Sequence, residues 1–298
     1  MKIGTHNGVF HADEVMAIAA LQLINNDPHV IRTRDQRTLD ECDIIVDVGG
    51  VYDPDNGRFD HHQRGFELCR ENGIKYSSFG LVWLKYGFVI VNNMLEDCDD
   101  IIHAVVRGVD EMLVEGVDAL DNGQVPTPQG GRVIPSAIIS LYNKNWYESH
   151  DMNNYGHFMA AVSAAGDIIV NAIKSVYGVE LAREVVREAV AEATDPRIIV
   201  MERFAPWQDT INAISNDALY MVFPAETGDT WMIQCVPPER GSFEKRKPLP
   251  GQWSGLRDGQ LSAVVGIPDA VFCHVGLFIC GARSKGSALH MARLAADA

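Results

Sequence analysis

A chain of 298 residues with 47% hydrophobic and 22% charged residues can bury the cores of two ordinary globular domains. Its net charge of −15 argues against a grip on long duplex nucleic acid, which needs a basic face, but permits a short single strand or a small phosphorylated substrate. The six cysteines are scattered without a C-x-x-C pair, which reads as free thiols in a reducing compartment.

No apolar run approaches the ~20 residues that span a bilayer, and the N-terminus reads straight into a strand without the pattern of a signal peptide. The expectation is a cytoplasmic protein with no membrane partner. Residues 1–5 read as a short strand and 13–24 as a helix, whose acidic start, Asp13 and Glu14, suits the positive end of the helix dipole. His6 and His11 then fall on a strand-to-helix connection, where open α/β sheets place ligands. A second strand is expected at 30–33 and a third at 42–48. The run Ile44-Ile45-Val46 marks the third as a buried parallel strand with Asp47 at its carboxyl end. Pro54, Asn56 and Gly57 are turn chemistry that closes a hairpin and delivers Asp60-His61-His62.

Helical patterns begin at 78 and at 99, the latter running towards a stop at Asn122-Gly123. After a loop rich in Gly and Pro (123–135), helices are expected at 158–177 and 180–193. Thr194-Asp195-Pro196 marks the domain boundary. Beyond it come short strands near 197–201, 219–224, 231–236 and 271–275 and a last helix at 284–295. The expected class is α/β: a parallel-sheet domain with a helical extension over 1–194, then a smaller α+β domain over 195–298.

A carboxylate beside two imidazoles is costly to bury without partners, and it is a ligand set that suits a divalent cation. His6, His11, Asp13 and Asp47 lie at strand ends upstream of it, with only Arg34 and Arg58 as nearby cations. So many carboxylates and imidazoles exceed the needs of one ion. The reading is a pair of ions, a bridging carboxylate and hydrolysis of a phosphate ester. The donor mixture suits Mn²⁺, Fe²⁺ or Mg²⁺ better than structural Zn²⁺.

Asp110, Asp118 and Asp121 follow on one helical stretch, and each alone is more often a solvated helix residue. Asp118, between Val117 and Ala119, is the least solvent-like and is chosen as the last ligand, with Asp121 left open. Glu244-Lys245-Arg246-Lys247 is the densest basic patch of the chain and a candidate phosphate grip, although such runs are usually solvated faces. The stretch from Cys280 to Gly286 precedes a helix and could offer backbone N–H groups, Arg283 and Lys285 to an anion. An ordinary strand-to-helix turn is an equal reading. His274 alone reads as a core or hydrogen-bonded histidine.

Asp60-His61-His62 resembles the signature of the DHH phosphoesterases. Phe10-His11-Ala12-Asp13-Glu14, Arg32-Thr33-Arg34-Asp35, Val46-Asp47-Val48-Gly49-Gly50, Asp60-His61-His62-Gln63-Arg64 and Val117-Asp118-Ala119-Leu120-Asp121-Asn122-Gly123 resemble one branch of them, the MYG (melanocyte proliferating gene) or metal-dependent protein hydrolase family. The similarity covers nearly the whole chain. It implies a DHH-type parallel-sheet domain and a smaller C-terminal domain, with the active site in the cleft between them. It further implies metal ligands at His6, His11, Asp13 and His61, a bridging Asp47 and an Asp118 that closes the second site. His62 would face the substrate phosphate, and Asp60 would orient an imidazole from behind. Two departures stand out. His11 occupies the place where the superfamily usually has the first Asp of Asp-x-Asp, and Cys280-Gly281-Ala282-Arg283 lacks the histidine that often ends the superfamily's Gly-rich loop. Eukaryotic members of the branch are associated with RNA exonuclease activity.

The sequence thus leads to a hydrolase that uses two divalent ions, Mn²⁺ first and Mg²⁺, Fe²⁺ or Zn²⁺ as alternatives. It would release nucleoside monophosphates from a short single-stranded oligonucleotide. His62 with Arg64 or Arg283 would hold the phosphate, and Arg34, Arg246 and Lys285 would complete the substrate contacts. The alternatives are a metallohydrolase of a small non-nucleic phosphoester and a metal- or nucleotide-binding regulatory protein with reduced catalysis. Homo-oligomerisation is left open.

Overall fold

The apolar start of the chain forms β1 (Lys2–Thr5), and the Ala-rich run after it forms α1 (Ala12–Gln22), buried from Ala12 to Leu21. They belong to a computed structural model that describes residues 1–25, 28–124, 135–147, 154–239 and 241–298. Most of the expected Gly/Pro loop, 125–134, lies outside the described residues. The first part continues with β2 (His29–Arg32), α2 (Gln36–Asp40), β3 (Ile44–Val46), β4 (Tyr52–Asp53) and β5 (Arg58–Phe59). Their order is β2-β1-β3-β5-β4, parallel throughout except for β4 against β5. Parallel neighbours need a crossover, and α1 supplies the one between β1 and β2.

Two local features deliver the site. Asp47 takes a left-handed φ of 59°, which stops β3 at Val46, two residues short of the sequence expectation. The β4–β5 hairpin turns through a 3₁₀ segment, Pro54–Asn56, and Gly57 at φ 70°. A Cβ on Gly57 would meet the Asp43 carbonyl oxygen at 2.5 Å, so only glycine fits there. The hairpin then releases Asp60 and its two histidines directly after β5.

α3 (Ser78–Leu95) packs on α1 and on α4 (Asp99–Val109). A π-helical turn, Asp110–Val114, joins α4 to α5 (Glu115–Asp121), and α6 (Ser136–Ser140) packs on α1. The two helices expected at 158–177 and 180–193 are one continuous helix, α7 (Tyr155–Ala191), of 37 residues. By length and composition α7 is apolar enough to cross a bilayer. The sequence reading passed over it because polar residues such as Asp167 and Lys174 interrupt the run. Phe158, Val162, Ile169 and Ile173 of α7 are fully buried in a protein core, as expected of a core helix.

The chain divides into two compact units, Met1–Tyr177 and Gly178–Ala298. The division falls within α7, whereas the sequence boundary at 194/195 lies just past the helix end. The second unit contains β6 (Ile198–Val200), α8 (Gln208–Ile214), β7 (Tyr220–Pro224), β8 (Trp231–Cys235), α9 (Asp258–Val265), β9 (Ala270–Cys273), β10 (Ile279–Ala282) and α10 (Lys285–Asp297). Its sheet has the order β6-β7-β8-β10-β9, antiparallel apart from β6 with β7. It closes over a core that includes Tyr220, Trp253, Leu261 and Met291. α8 and α9 have no counterpart among the sequence expectations, and β10 runs into the stretch 280–286, expected as an anion site or a strand-to-helix turn. All six cysteines are free.

Candidate metal centre

In the first unit the carboxyl ends of β1, β3 and β5 and the start of α1 bring the chemistry together. His6 follows β1 and is 3% exposed, with Nε2 2.8 Å from Glu14 Oε1 and 3.3 Å from Asp47 Oδ2. His61 Nε2 lies 3.2 Å from Asp121 Oδ2, 3.4 Å from Asp47 Oδ1 and 3.7 Å from Asp13 Oδ2. Three sets of side chains offer ligand atoms within 4.8 Å of one another: His6, His11, Glu14 and Asp47; Asp47, His61 and His62; His11, Asp13 and Asp121. Asp47 and His11 each belong to two sets. Asp47 is buried, is held by the Ser78 hydroxyl at 3.0 Å, and has one oxygen towards His6 and the other towards His61. Its left-handed φ is a conformation that aspartate tolerates better than most residues, and such strain is characteristic of functional positions.

The imidazoles and carboxylates of the cluster shift one another strongly. Burial alone would lower the His6 imidazole, but hydrogen bonds to Asp47 and Glu14 outweigh it and raise it to about 10. His61 is likewise raised to about 10, its burial outweighed by Asp121 and Asp47. Burial works to raise Asp47, yet His6 and His61 hold it below the ordinary carboxylate range. Asp13 has less help, from the neighbouring Glu14 N–H alone. Burial first, then Asp47, Asp121 and Glu14, push it well above that range. Both Asp13 oxygens are buried without a well-formed hydrogen bond from any described residue. A buried carboxylate left so is expensive, and a divalent cation is the partner that an imidazole–carboxylate set accommodates. The residues present therefore fit a metal centre.

Asp60 belongs to none of the three donor sets. It is buried and accepts from the Gly50 N–H at 2.6 Å, the His62 N–H at 3.0 Å and His62 Nδ1 at 2.8 Å. Burial alone would raise its carboxyl; the bonds from His62 and from the Gly50 N–H lower it. It thereby fixes the ring of His62, which is mostly exposed and lines two clefts. One, of about 570 Å³, also has His6, His11, Arg34 and Asp47 in its walls. The other, of about 370 Å³, has His11, Leu120, Asp121, Ser136 and Ser140.

Of the residues expected from sequence, the structure thus gathers His6, His11, Asp13, Asp47, Asp60, His61 and His62, with Arg34 beside them. Arg64 is exposed in the loop after His62. Asp118, expected as the last ligand, stands outside the three donor sets. It is fully buried and accepts from Arg70 Nη1 at 2.7 Å, the Ser77 hydroxyl at 2.5 Å and the Gly80 N–H at 3.0 Å. A carboxylate so occupied has little left for a metal. Asp121, one helical turn later, reaches the centre instead. Arg70 also holds Asp110 at 2.9 and 2.6 Å and lies over the Tyr76 ring.

Glu14 is the donor that sequence reasoning passed over, having read it only as a complement to the helix dipole. Its Oε2 accepts the His11 N–H at 2.9 Å. The spacing from His11 to Glu14 is that of a capping pair, which folds the carboxylate back towards the first turn and so towards β1.

The residues of the second unit expected to contact phosphate have partners of their own in two cases. Arg246 donates to the carbonyl oxygens of Ser215 at 2.6 Å and Ala218 at 3.1 Å and to Asn212 Oδ1 at 3.0 Å, so it staples a turn. Lys285 pairs with Glu202 and lies over the Trp231 ring. Asp269 already accepts the Ser284 N–H at the start of α10, which leaves this turn less of an anion site. Arg283 is exposed. His274 is hydrogen-bonded, its Nδ1 accepting from the Gly276 N–H at 2.9 Å.

Similarity to known proteins covers the whole of this architecture. The profile of the MYG1 exonuclease family, described as an uncharacterised protein family (UPF0160), matches residues 2–296. The human MYG1 exonuclease is 35% identical over 98% of this chain and 85% of its own length. A MYG1 protein of Schizosaccharomyces pombe is 34% identical over 100% and 98%. One from Chlamydia pneumoniae is 34% identical over 93% and 90%.

Proposed function

From the premise that this chain belongs to the MYG1 exonuclease family, we propose that it is a hydrolase of the DHH phosphoesterase type that cleaves phosphodiester bonds in short single-stranded oligonucleotides with the help of two divalent ions, Mn²⁺ first among them. The observation that supports this most is Asp47 shared between two donor sets beside an Asp13 whose buried oxygens lack a well-formed hydrogen bond from any described residue. Relatives named exonucleases supply the reaction class.

His6, His11, Glu14 and Asp47 would hold one ion, and Asp13, Asp47, His61 and Asp121 the other. When bound, a pair of ions supplies positive charge for phosphoryl oxygens and acidifies water. The chain's own part is to fix the surroundings. Ser78 and the left-handed backbone hold Asp47 between the two histidines. Asp60 takes the Nδ1 of His62, which leaves Nε2 for a substrate oxygen. Arg34 in the same cleft wall offers a fork of donors for phosphate.

The test is turnover of short RNA and DNA oligonucleotides by metal-stripped protein, before and after addition of Mn²⁺, with Asp47→Asn and His61→Ala in parallel. The expected outcome is mononucleotide release that requires the metal and falls ~100-fold or more in both variants. Wild-type protein that binds two metals yet releases nothing from any oligonucleotide would sink the nuclease reading in favour of a small phosphoester.

A further inference from the structure

The segment around α6 carries two aromatic side chains that the fold does not use. Trp146 is 91% and Tyr147 71% exposed, and their rings meet edge to face, with centroids 6.1 Å apart at 88°. Trp83, Trp207 and Trp253 are by contrast almost fully buried. A large aromatic left in water forfeits the burial that ordinarily keeps it in a protein, and paired exposed rings are a feature of binding surfaces.

Their position ties them to the metal centre. Ser136 and Ser140 of α6 line the same cleft as His11, His62 and Asp121. Three residues before Trp146, Asn143 clasps the loop that holds His6 and His11. Its Oδ1 accepts the Phe10 N–H at 3.0 Å, and its Nδ2 donates to the Phe10 carbonyl oxygen at 2.7 Å. The segment that bears the two rings is thus fastened to the backbone between two of the ligand histidines. Leu120 of α5, 44% exposed, lines that cleft too, and Leu141 at the end of α6 is 80% exposed.

Charge says what such a surface is for. A protein of net charge −15 has little basic surface with which to hold a polyanion along its backbone. Neutralisation at the metal centre and at Arg34 serves the phosphate that reacts, and the uncharged parts of the substrate are the remaining source of affinity. Base-on-aromatic stacking does this without regard to sequence and largely without dependence on charge.

We propose that Trp146 and Tyr147 form a stacking platform for an unpaired nucleobase next to the scissile phosphate, and hence that the substrate of this centre is single-stranded at that point. This rests on the nuclease reading given above. The base lies against the rings while the phosphate sits at His62 and the metal ligands, so the platform sets substrate affinity and leaves the chemical step to the centre.

The experiment measures KM and kcat of the Mn²⁺-supplemented full-length protein on a pentanucleotide and on five versions of it, each with one abasic position. Wild type is compared with Trp146→Ala, Tyr147→Ala and Trp146→Phe. The expected wild-type result is a KM raised about five- to 100-fold when the base at one particular position is missing. In Trp146→Ala that difference collapses to within about twofold, and Trp146→Phe restores most of it. An abasic penalty of the same size in the alanine variants would overturn the platform while leaving the nuclease reading intact. A change of oligomeric state in Trp146→Ala, seen by sedimentation, with the penalty unchanged would make this face a contact between copies of the chain and overturn the proposal. No turnover of any oligonucleotide by the wild type would remove the nuclease reading, and the platform with it.

Discussion

Two buried acidic centres lie in the first unit, and they are built on opposite plans. Around Asp118, each oxygen has a donor: Arg70 on one side, the Ser77 hydroxyl and the Gly80 N–H on the other. Around Asp13, four carboxylates and the imidazoles crowd together, the Arg32 guanidinium acts on Glu14 alone among them, and neither Asp13 oxygen has a well-formed hydrogen bond from a described residue. The first centre is complete as folded. The second is one that a cation would complete, and that difference, more than the number of acidic residues, is what tells a structural ion network from a candidate ligand site.

The largest break in this comparison is Arg70→Met. It leaves the Asp110 and Asp118 charges without their counter-ion, and the expected cost is about 3–5 kcal/mol of stability, read from urea unfolding. Metal affinity, by calorimetry, should survive in whatever fraction stays folded. Next comes Gly80→Ala. A Cβ there would lie 1.9 Å from Asp118 Oδ2, so the carboxylate or α3 must shift, at an expected cost of about 1–3 kcal/mol in the same measurement.

The smallest effect has the opposite sign. In the presence of a chelator, Asp13→Asn removes a repelled charge and gains an amide donor among carboxylates, and we expect stability to rise by about 1 kcal/mol. The same variant should lose the increase in melting temperature that Mn²⁺ gives the wild type. A destabilised Asp13→Asn would mean that Asp13 is a structural residue like Asp118.

The last ligand shows how far sequence could go. Asp118 and Asp121 lie on the same helix, and Asp118 looks the more buried because of Val117 and Ala119. The expectation of burial was right for Asp118, but what the burial serves is decided by Arg70, 48 residues earlier in the chain. Arg246 and Lys285 repeat the lesson. Their charge is legible in the sequence, whereas the carbonyl groups and the carboxylate that engage them are supplied by the fold.

By itself the sequence determined the elements of the first sheet, the strand ends that carry His6 and Asp47, the Asp60-His61-His62 run after a hairpin, and the family. These depend on local pattern: apolar runs, turn residues and the spacing of imidazoles and carboxylates. The tertiary structure alone decided that Glu14 and Asp121 join the centre while Asp118 leaves it, that α7 is one helix, and that two exposed rings stand on the segment beside the ligands. Each of these turns on which groups meet across distant parts of the chain. The free energy of a buried charge is set by those meetings and not by its neighbours in sequence.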